Sequence, residues 1–436
     1  MPNYVRAGCY LLAMMRHVYW SPAKLANFRN RQVKEIISYA YDNVAFYHEL
    51  FRKYSIKPHN VTSVEDLNRI PILQKAEIRK EIEKTVSAEF DIAHLKKVET
   101  SGSTGKPFTV YITSEEDEIR KARRLRANMI VGQRPFDRWL IMQNPLRSEP
   151  PSKLQRFSRF FNYTSVSLFE DVGTQLAVIR RTKPEVLEGF SNSIYMVAQE
   201  AKKRDITDIR PKLVVGGAEL VSDFSRRVIE NAFNASYYDQ YATNEFERLA
   251  WQCKEKVGYH IDADSVVMQF VDKQGEEVAP GERGEVVCTS LFNHAMPLIR
   301  FAIGDVGVPS DEKTCPCGKT FPLMKILEGR KNSFITLPDG RKLPPVAFFI
   351  TVDKSRFRDH IDQFRIIQRK LDDFEIQIKL ADHDVPEGLI AKDVLQNLRG
   401  TLGPLAGQLA FNFDFLDELP LEKTGKLRAV ISEVES

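Results

Sequence analysis

The chain has 436 residues, with 63 Lys and Arg against 59 Asp and Glu, for a net charge of +4, too small over this length to speak for or against nucleic acid. Five cysteines (Cys9, Cys253, Cys288, Cys315, Cys317) are too few and odd in number for a disulfide framework, so they point to a reducing, cytoplasmic setting. No apolar run reaches the length of a membrane-spanning helix, and the first residues lack the small-residue cleavage pattern of a secretory signal.

VRAGCYLLAMMRHVYW, broken by Arg6, Arg16 and His17, reads as an amphipathic helix packed on its own protein, with membrane-surface contact through residues 5–20 the lesser alternative. Residues 22–54 carry Val33, Ile36, Ile37 and Ala40 at helical spacing. Pro71 breaks the chain before a charged helix at 75–85. Ser114 is expected to open a long helix, with Asp117 in a capping-box position, and its run from Arg120 to Arg126 reads as a solvated face, with a phosphate or acidic partner the lesser reading. Trp139–Met142 reads as a buried strand, 174–183 and 193–203 as helices, 212–218 as a strand entering a glycine turn, and 222–235 as the helix after it. Alternating strands and helices predict an α/β fold, partly parallel. From Gly258 the texture turns β-rich, and residues 331–436 read as a compact α+β unit with strands at 364–368, 374–379 and 409–415 around a helix at 390–402. The expected division is a large α/β core, 1–330, containing a β-rich subdomain at 258–328, followed by a small mobile domain at 331–436.

Residues 99–108, ETSGSTGKPF, concentrate chemistry. Gly102 and Gly105 allow close backbone approach to an anion; Ser101, Ser103 and Thr104 add hydroxyl donors and Lys106 a charge. Only two residues separate the glycines and Pro107 follows the lysine, so this is not the Walker loop. The same run also suits an ordinary Ser/Gly-rich surface loop. Gly216-Gly217-Ala218-Glu219 offers bare backbone to a flat ligand such as a purine. In Tyr241-Ala242-Thr243-Asn244-Glu245 the ring could stack on a base and Glu245 could hold Mg²⁺ beside phosphates; a core aromatic and a surface carboxylate are the plainer reading. Asp305, beside Gly304, could accept both ribose hydroxyls, and Lys426 on a Gly-containing turn is a point charge for a phosphate. Cys253, His260, Cys315 and Cys317 could close a tetrahedral zinc site, structural because four protein ligands leave no open position. Cys9 and Cys288 read as inert buried thiols.

The order SGSTGKP, GGAE, YATNE, RFAIGD, EGR, KTGKLR resembles the acyl-adenylate-forming enzymes, and among them the phenylacetate–coenzyme A ligase-like branch, which includes relatives from capsule-biosynthesis clusters. The resemblance covers residues 25–436. It implies that Ser101, Gly102, Ser103, Thr104, Gly105 and Lys106 hold the ATP triphosphate. Gly217 and Ala218 would line the adenine pocket with Tyr241, and Glu245 would bind Mg²⁺. Asp305 and Arg330 would hold the ribose, with Ala242, Thr243 and Asn244 completing the nucleotide motif. Lys426 would be the lysine that assists adenylate formation, and Lys331-Asn332-Ser333 the hinge. The cysteine and histidine set resembles a zinc site of that branch. There are departures: the usual Tyr-Gly-x-Thr-Glu is Tyr-Ala-Thr-Asn-Glu, and the usual Arg-Thr-Gly-Asp is Ala302-Ile303-Gly304-Asp305.

The implied function is an ATP-dependent ligase that makes an acyl-AMP and passes the acyl group to a thiol, such as coenzyme A, or to an amine. Trp139, Phe160, Phe161 and Tyr163 are candidates for the acid pocket, though core packing accounts for them equally well. The alternative is a non-catalytic nucleotide- or zinc-binding module on the same fold, motivated by the departures. A zinc-ribbon nucleic-acid binder is disfavoured by the lack of a basic–aromatic stripe.

Overall fold

The computed structural model describes residues 4–99, 108–145, 150–330, 333–420 and 427–434. The expectations for Ser101–Lys106, for Lys331 and Asn332, and for Lys426 therefore lie outside the described residues. In chain order the elements are α1 (Tyr4–His17), α2 (Pro22–Asn43), α3 (Ala45–Lys53), α4 (Lys75–Lys80), β1 (Lys96–Glu99), β2 (Thr109–Ile112), α5 (Ser114–Val131), β3 (Trp139–Gln143), α6 (Lys153–Ser158), β4 (Tyr163–Ser167), α7 (Val172–Thr182), β5 (Val186–Phe190), α8 (Ser191–Lys203), β6 (Leu213–Gly217), α9 (Asp223–Phe233), β7 (Ser236–Thr243), β8 (Glu247–Gln252), β9 (Tyr259–Ile261), β10 (Val266–Val271), β11 (Gly284–Ser290), β12 (Phe301–Pro309), β13 (Leu323–Arg330), β14 (Ile335–Thr336), β15 (Lys342–Leu343), α10 (Pro345–Asp353), β16 (Ile361–Lys370), β17 (Asp373–Leu380), α11 (Glu387–Leu402), β18 (Ala410–Phe415) and β19 (Val430–Ser432). The α/β class expected from the alternation is the class observed.

The chain packs as two compact units, Met1–Gln133 with Tyr238–Leu327, and Arg134–Tyr237 with Glu328–Ser436. In the first unit the strands lie in the order β10-β11-β12-β13-β9-β8-β7, with β10/β11, β11/β12, β9/β13, β8/β9 and β7/β8 antiparallel. Their apolar faces join α2 and α3 in one core that includes Ile36, Tyr47, Phe51, Phe108, Val286 and Phe301. The helix expected over 22–54 is two: Val44 has extended backbone (φ −124°, ψ 108°) and ends α2 before α3 begins. The cap of α5 is Thr113 with Glu116, one residue earlier than expected, because the Thr113 side chain accepts from the Glu116 N–H and Glu116 returns the bond. Helix α1 packs against α5 through Arg6 to Glu118 at 2.7 Å and a Tyr10–Glu115 hydrogen bond.

In the second unit β6-β5-β3-β4 are parallel, with α7, α8 and α9 supplying Leu176, Ile194, Ala198, Ile229 and Phe233 to their core. Residues 335–430 close a core of their own: β18-β17-β16-β19 form a four-stranded sheet under α10 and α11. On β17, Phe374, Ile376 and Ile378 alternate inward with polar neighbours outward, so the period of two sets which face meets the helices. Each such side chain contributes about 1.5–3 kcal/mol of burial.

Candidate functional site

The glycine-rich loop is the connection between β1 and β2, an antiparallel pair in which Glu99 faces Thr109. Past the loop, Phe108 is buried and stacks on Phe301 with ring centroids 5.4 Å apart, anchoring the return strand. The Tyr241–Glu245 motif runs off the end of β7. A register shift at Tyr241/Ala242 marks a bulge in the β7/β8 pair, a device common beside active sites. Thr243 Oγ1 accepts from the Phe246 N–H at 3.2 Å, closing the turn, and Glu247 re-enters β8 at φ +60°.

Within the first unit this turn gathers three of the sequence motifs. Asn244 Nδ2 donates to the Glu99 carbonyl at 3.0 Å, tying the turn to the residue before the glycine-rich loop. Tyr241 donates its hydroxyl to Asp305 Oδ2 at 2.7 Å, so the two nucleotide candidates on β7 and β12 are one hydrogen-bonded pair. Glu245 is buried and forms an ion pair with Lys75 Nζ at 2.6 Å. Cys288, expected as an inert buried thiol, lies near these carboxylates; burial, then Asp305 and Glu245, push its thiol up, so it stays protonated. Cys9, by contrast, is exposed on α1 and not buried as expected.

Two participants were missed in the sequence. Lys75 opens α4, where a cation opposes the helix dipole; that local conflict was the available signal. The second is the arginine run on α5, which is not a solvated face. Arg120, Arg123 and Arg126 are buried, since spacing of three puts them on one inward stripe. Arg120 donates to the carbonyls of Asn244 at 2.5 Å and Glu245 at 3.2 Å. Arg123 donates to the carbonyls of Phe246 and Arg248 and to Asp262. Arg126 bridges Asp262 at 2.5 Å and Asp264 at 2.6 Å. The stripe holds the backbone of the motif turn by charge-assisted bonds, stronger than neutral ones.

In the second unit, Gly217 ends β6 and Ala218 sits at φ +69°, a left-handed conformation that a non-glycine residue adopts only where its surroundings enforce it. Glu219 accepts from the Asn192 N–H at 3.1 Å with one oxygen and from the Leu427 N–H at 3.1 Å with the other. Leu427, in the described end of the last motif, is thereby held to the Gly-Gly-Ala-Glu turn. Gly216 has a packing reason of its own: a Cβ there would lie 1.9 Å from the Tyr237 hydroxyl, which Ser191 also contacts at 2.8 Å. Arg330 ends β13, and Ser333 accepts from Arg428 at 2.9 Å. Among the acid-pocket candidates, Trp139 is buried with its indole N–H donated to Glu188 at 3.1 Å, Phe161 is buried, Tyr163 is half-buried and Phe160 is exposed.

Cys253, His260, Cys315 and Cys317 converge: their ligand atoms all lie within 4.8 Å of one another. Cys253 Sγ to Cys315 Sγ is 3.6 Å and Cys317 Sγ to His260 Nε2 is 3.3 Å. Tetrahedral zinc with bonds of about 2.3 Å to sulfur and 2.0 Å to nitrogen separates its ligands by roughly these distances. His260 Nδ1 faces the Phe321 carbonyl at 3.3 Å, which sets the tautomer and leaves Nε2 to the cluster. Burial pushes the Cys315 thiol up to about 12 and lowers His260 to about 4, so the imidazole is neutral, as a ligand must be. The cluster belongs to a satellite core with Val18, Leu25, Trp251 and Phe321, and Thr320 donates its N–H to the Val18 carbonyl.

No protein-family model matches the chain. It is 23% identical over 422 residues to Protein CapK of Staphylococcus aureus, covering 94% of this chain and 90% of that one. It is also 23% identical over 391 residues to a phenylacetate-coenzyme A ligase of Thermus thermophilus, covering 86% of each. Among solved structures, 2-hydroxyisobutyryl-CoA ligase in the postadenylation state superposes with a TM-score of 0.80 at 17% identity, over 96% of this chain and 91% of that one. Over nearly its whole length the chain is thus similar in sequence to CapK and to a phenylacetate-coenzyme A ligase, and it shares the fold of an acyl-CoA ligase. The asparagine of YATNE, Asn244, has a local role in this chain: its amide holds the Glu99 carbonyl.

Proposed function

We propose that this protein is an ATP-dependent acid ligase. A carboxylate oxygen of the acid attacks the α-phosphorus of ATP, the bond to pyrophosphate breaks, and acyl-AMP forms. A thiol sulfur, that of coenzyme A in the reading favoured by the relatives' names, then attacks the acyl carbon and AMP leaves with the bonding pair. The observation that carries this reading is the Asn244–Glu99 bond: it ties YATNE to the threshold of the glycine-rich loop, two motifs that adenylation needs around one triphosphate.

The roles follow from chemistry and resemblance. Asp305, oriented by Tyr241, would accept the ribose hydroxyls. Glu245 would hold Mg²⁺, for which a buried carboxylate is a suitable donor, and Lys75 beside it adds a positive charge for phosphate oxygens. Gly217, Ala218 and Arg330 keep the nucleotide roles the resemblance gives them, as do Ser101–Lys106. Lys426 would neutralise charge on the transferring phosphate, and turning of residues 331–436 about Lys331–Ser333 would withdraw it for the thiol step. Zinc, held by Cys253, His260, Cys315 and Cys317, would be structural, securing β8, β9 and the loop before β13 to the residues following α1.

The test is AMP release from ATP across a panel of carboxylic acids, with and without coenzyme A. Activity with at least one acid, reduced about 10²-fold or more in Asp305→Asn, is the expected result. ATP binding with no AMP from any acid would move the protein to the non-catalytic reading.

A further inference from the structure

We infer that the surface built by residues 134–138 and 152–160 docks this protein on an anionic lipid bilayer. The inference does not depend on the ligase reading. Its first ground is exposure. Phe157 is 91% exposed, Phe136 68%, Leu154 58% and Phe160 49%. The Phe136 and Phe160 rings meet edge to face at 5.8 Å, and the Phe161 N–H donates to the Pro135 carbonyl at 2.6 Å, joining the segment before β3 to the segment before β4; Leu154 and Phe157 stand three residues apart on α6, which leads into Phe160.

The backbone is held to present them. A reciprocal Ser152/Gln155 capping box starts α6. The chain then leaves it through Arg159 at φ +59° and Phe161 at φ +47°, two left-handed non-glycine residues flanking Phe160. Phe161 turns inward while Phe160 turns out.

Charge selects the occupant. Arg134, Lys153, Arg156 and Arg159 are exposed between the apolar side chains. Residues 134–138 and 152–163 carry five basic side chains against one acidic, a net +4 that equals the charge of the whole chain. A second copy would set this face against its own sign. A protein partner that took the rings into its core would have to bury Lys153 and supply carboxylates for four cations, whereas a bilayer leaves the cations at its headgroups. A bilayer interface suits the pattern: aromatic rings enter at headgroup depth while Arg and Lys reach the lipid phosphates.

The patch is also at the wrong end of the sheet for chemistry. Phe136 and Phe160 precede β3 and β4, whereas ligands of parallel sheets gather beyond the strands' carboxyl ends, where Gly217–Glu219 lie, about 16 Å along a five-residue strand. The surface therefore positions the protein and leaves its substrate end open.

The test uses the full chain in flotation with phosphatidylcholine vesicles, alone or with phosphatidylglycerol, at low and high salt. Expected is strong enrichment on the anionic vesicles that fades with salt. The triple variant Lys153→Gln, Arg156→Gln, Arg159→Gln should lose about 10²-fold in binding, and Phe157→Ser about 10-fold, with unfolding midpoints unchanged because all four side chains are exposed. Equal partition onto neutral and anionic vesicles, or unaltered binding by the triple variant, overturns the inference. So does sedimentation showing a dimer that Phe157→Ser dissociates, which would assign the face to a second copy.

Discussion

Replacing Arg120 by methionine tests the idea that α5 positions the motif turn. The guanidinium makes two hydrogen bonds, to the carbonyls of Asn244 and Glu245, from a position that is almost wholly buried. Bonds from charged donors are worth about 1.5–3 kcal/mol each. Methionine keeps most of the apolar stem but leaves both carbonyls short of a donor, while relieving the desolvation of the guanidinium. The net loss expected is about 2–4 kcal/mol, read from urea unfolding followed by fluorescence of Trp251, which is fully buried in the same unit. If Glu245 shifts by about 1 Å in consequence, AMP release per folded molecule falls about 10²-fold. Arg120→Lys, which restores one bond, should recover part of both. Wild-type stability together with wild-type kcat/KM in Arg120→Met would refute the reasoning. Lost stability with kcat/KM intact would confine Arg120 to folding and separate it from the placement of Glu245.

The metal proposal expects native mass spectrometry to find one zinc per chain, and Cys317→Ser or a strong chelator to release it with a clear loss of stability; protein purified without chelator and free of zinc would end it. Gly216→Ala should cost about 2–4 kcal/mol, since the new methyl group overlaps the Tyr237 hydroxyl, and Tyr237→Phe in the same chain should recover part of that loss in a denaturation series. Burial alone would raise the Asp264 carboxyl, but Arg126 and His17 outweigh it and hold it well below the usual range. Its contribution is therefore complete above about pH 4, the unfolded value, and is lost as pH falls further through the folded one. Asp264→Asn should lower stability at pH 7 by about 3 kcal/mol and flatten the acid limb of the melting curve; an unchanged limb would remove this pair from acid sensitivity.

Much of the architecture was legible because it is local. Strand–turn–helix alternation put β3, α8, β6 and α9 close to their final bounds, and the alternation on β17 and β18 marked the second sheet. What failed locally failed for identifiable reasons. The α5 cap fell one residue early because Thr113 and Ser114 are both good caps and only Thr113 has a glutamate three residues on. The run Arg120–Arg126 was read by charge alone, whereas its spacing places three arginines on one face whose partner carboxylates, Asp262 and Asp264, lie more than 130 residues away. Gly216 looked like an opening for a ligand; the occupant of that space is Tyr237.

By itself, then, the sequence settled fold class, the order of the motifs and the residue types available for chemistry, since these follow from periodicity, turn propensity and composition along a short stretch of chain. Tertiary structure alone decided which groups meet: Tyr241 with Asp305, Asn244 with Glu99, Glu245 with Lys75, and the four cysteine and histidine ligands with one another. It also decided which cations are buried and which stand exposed among phenylalanines. Pairings of that kind join residues far apart in the chain, and their energies depend on burial and distance, quantities that no local window of sequence contains.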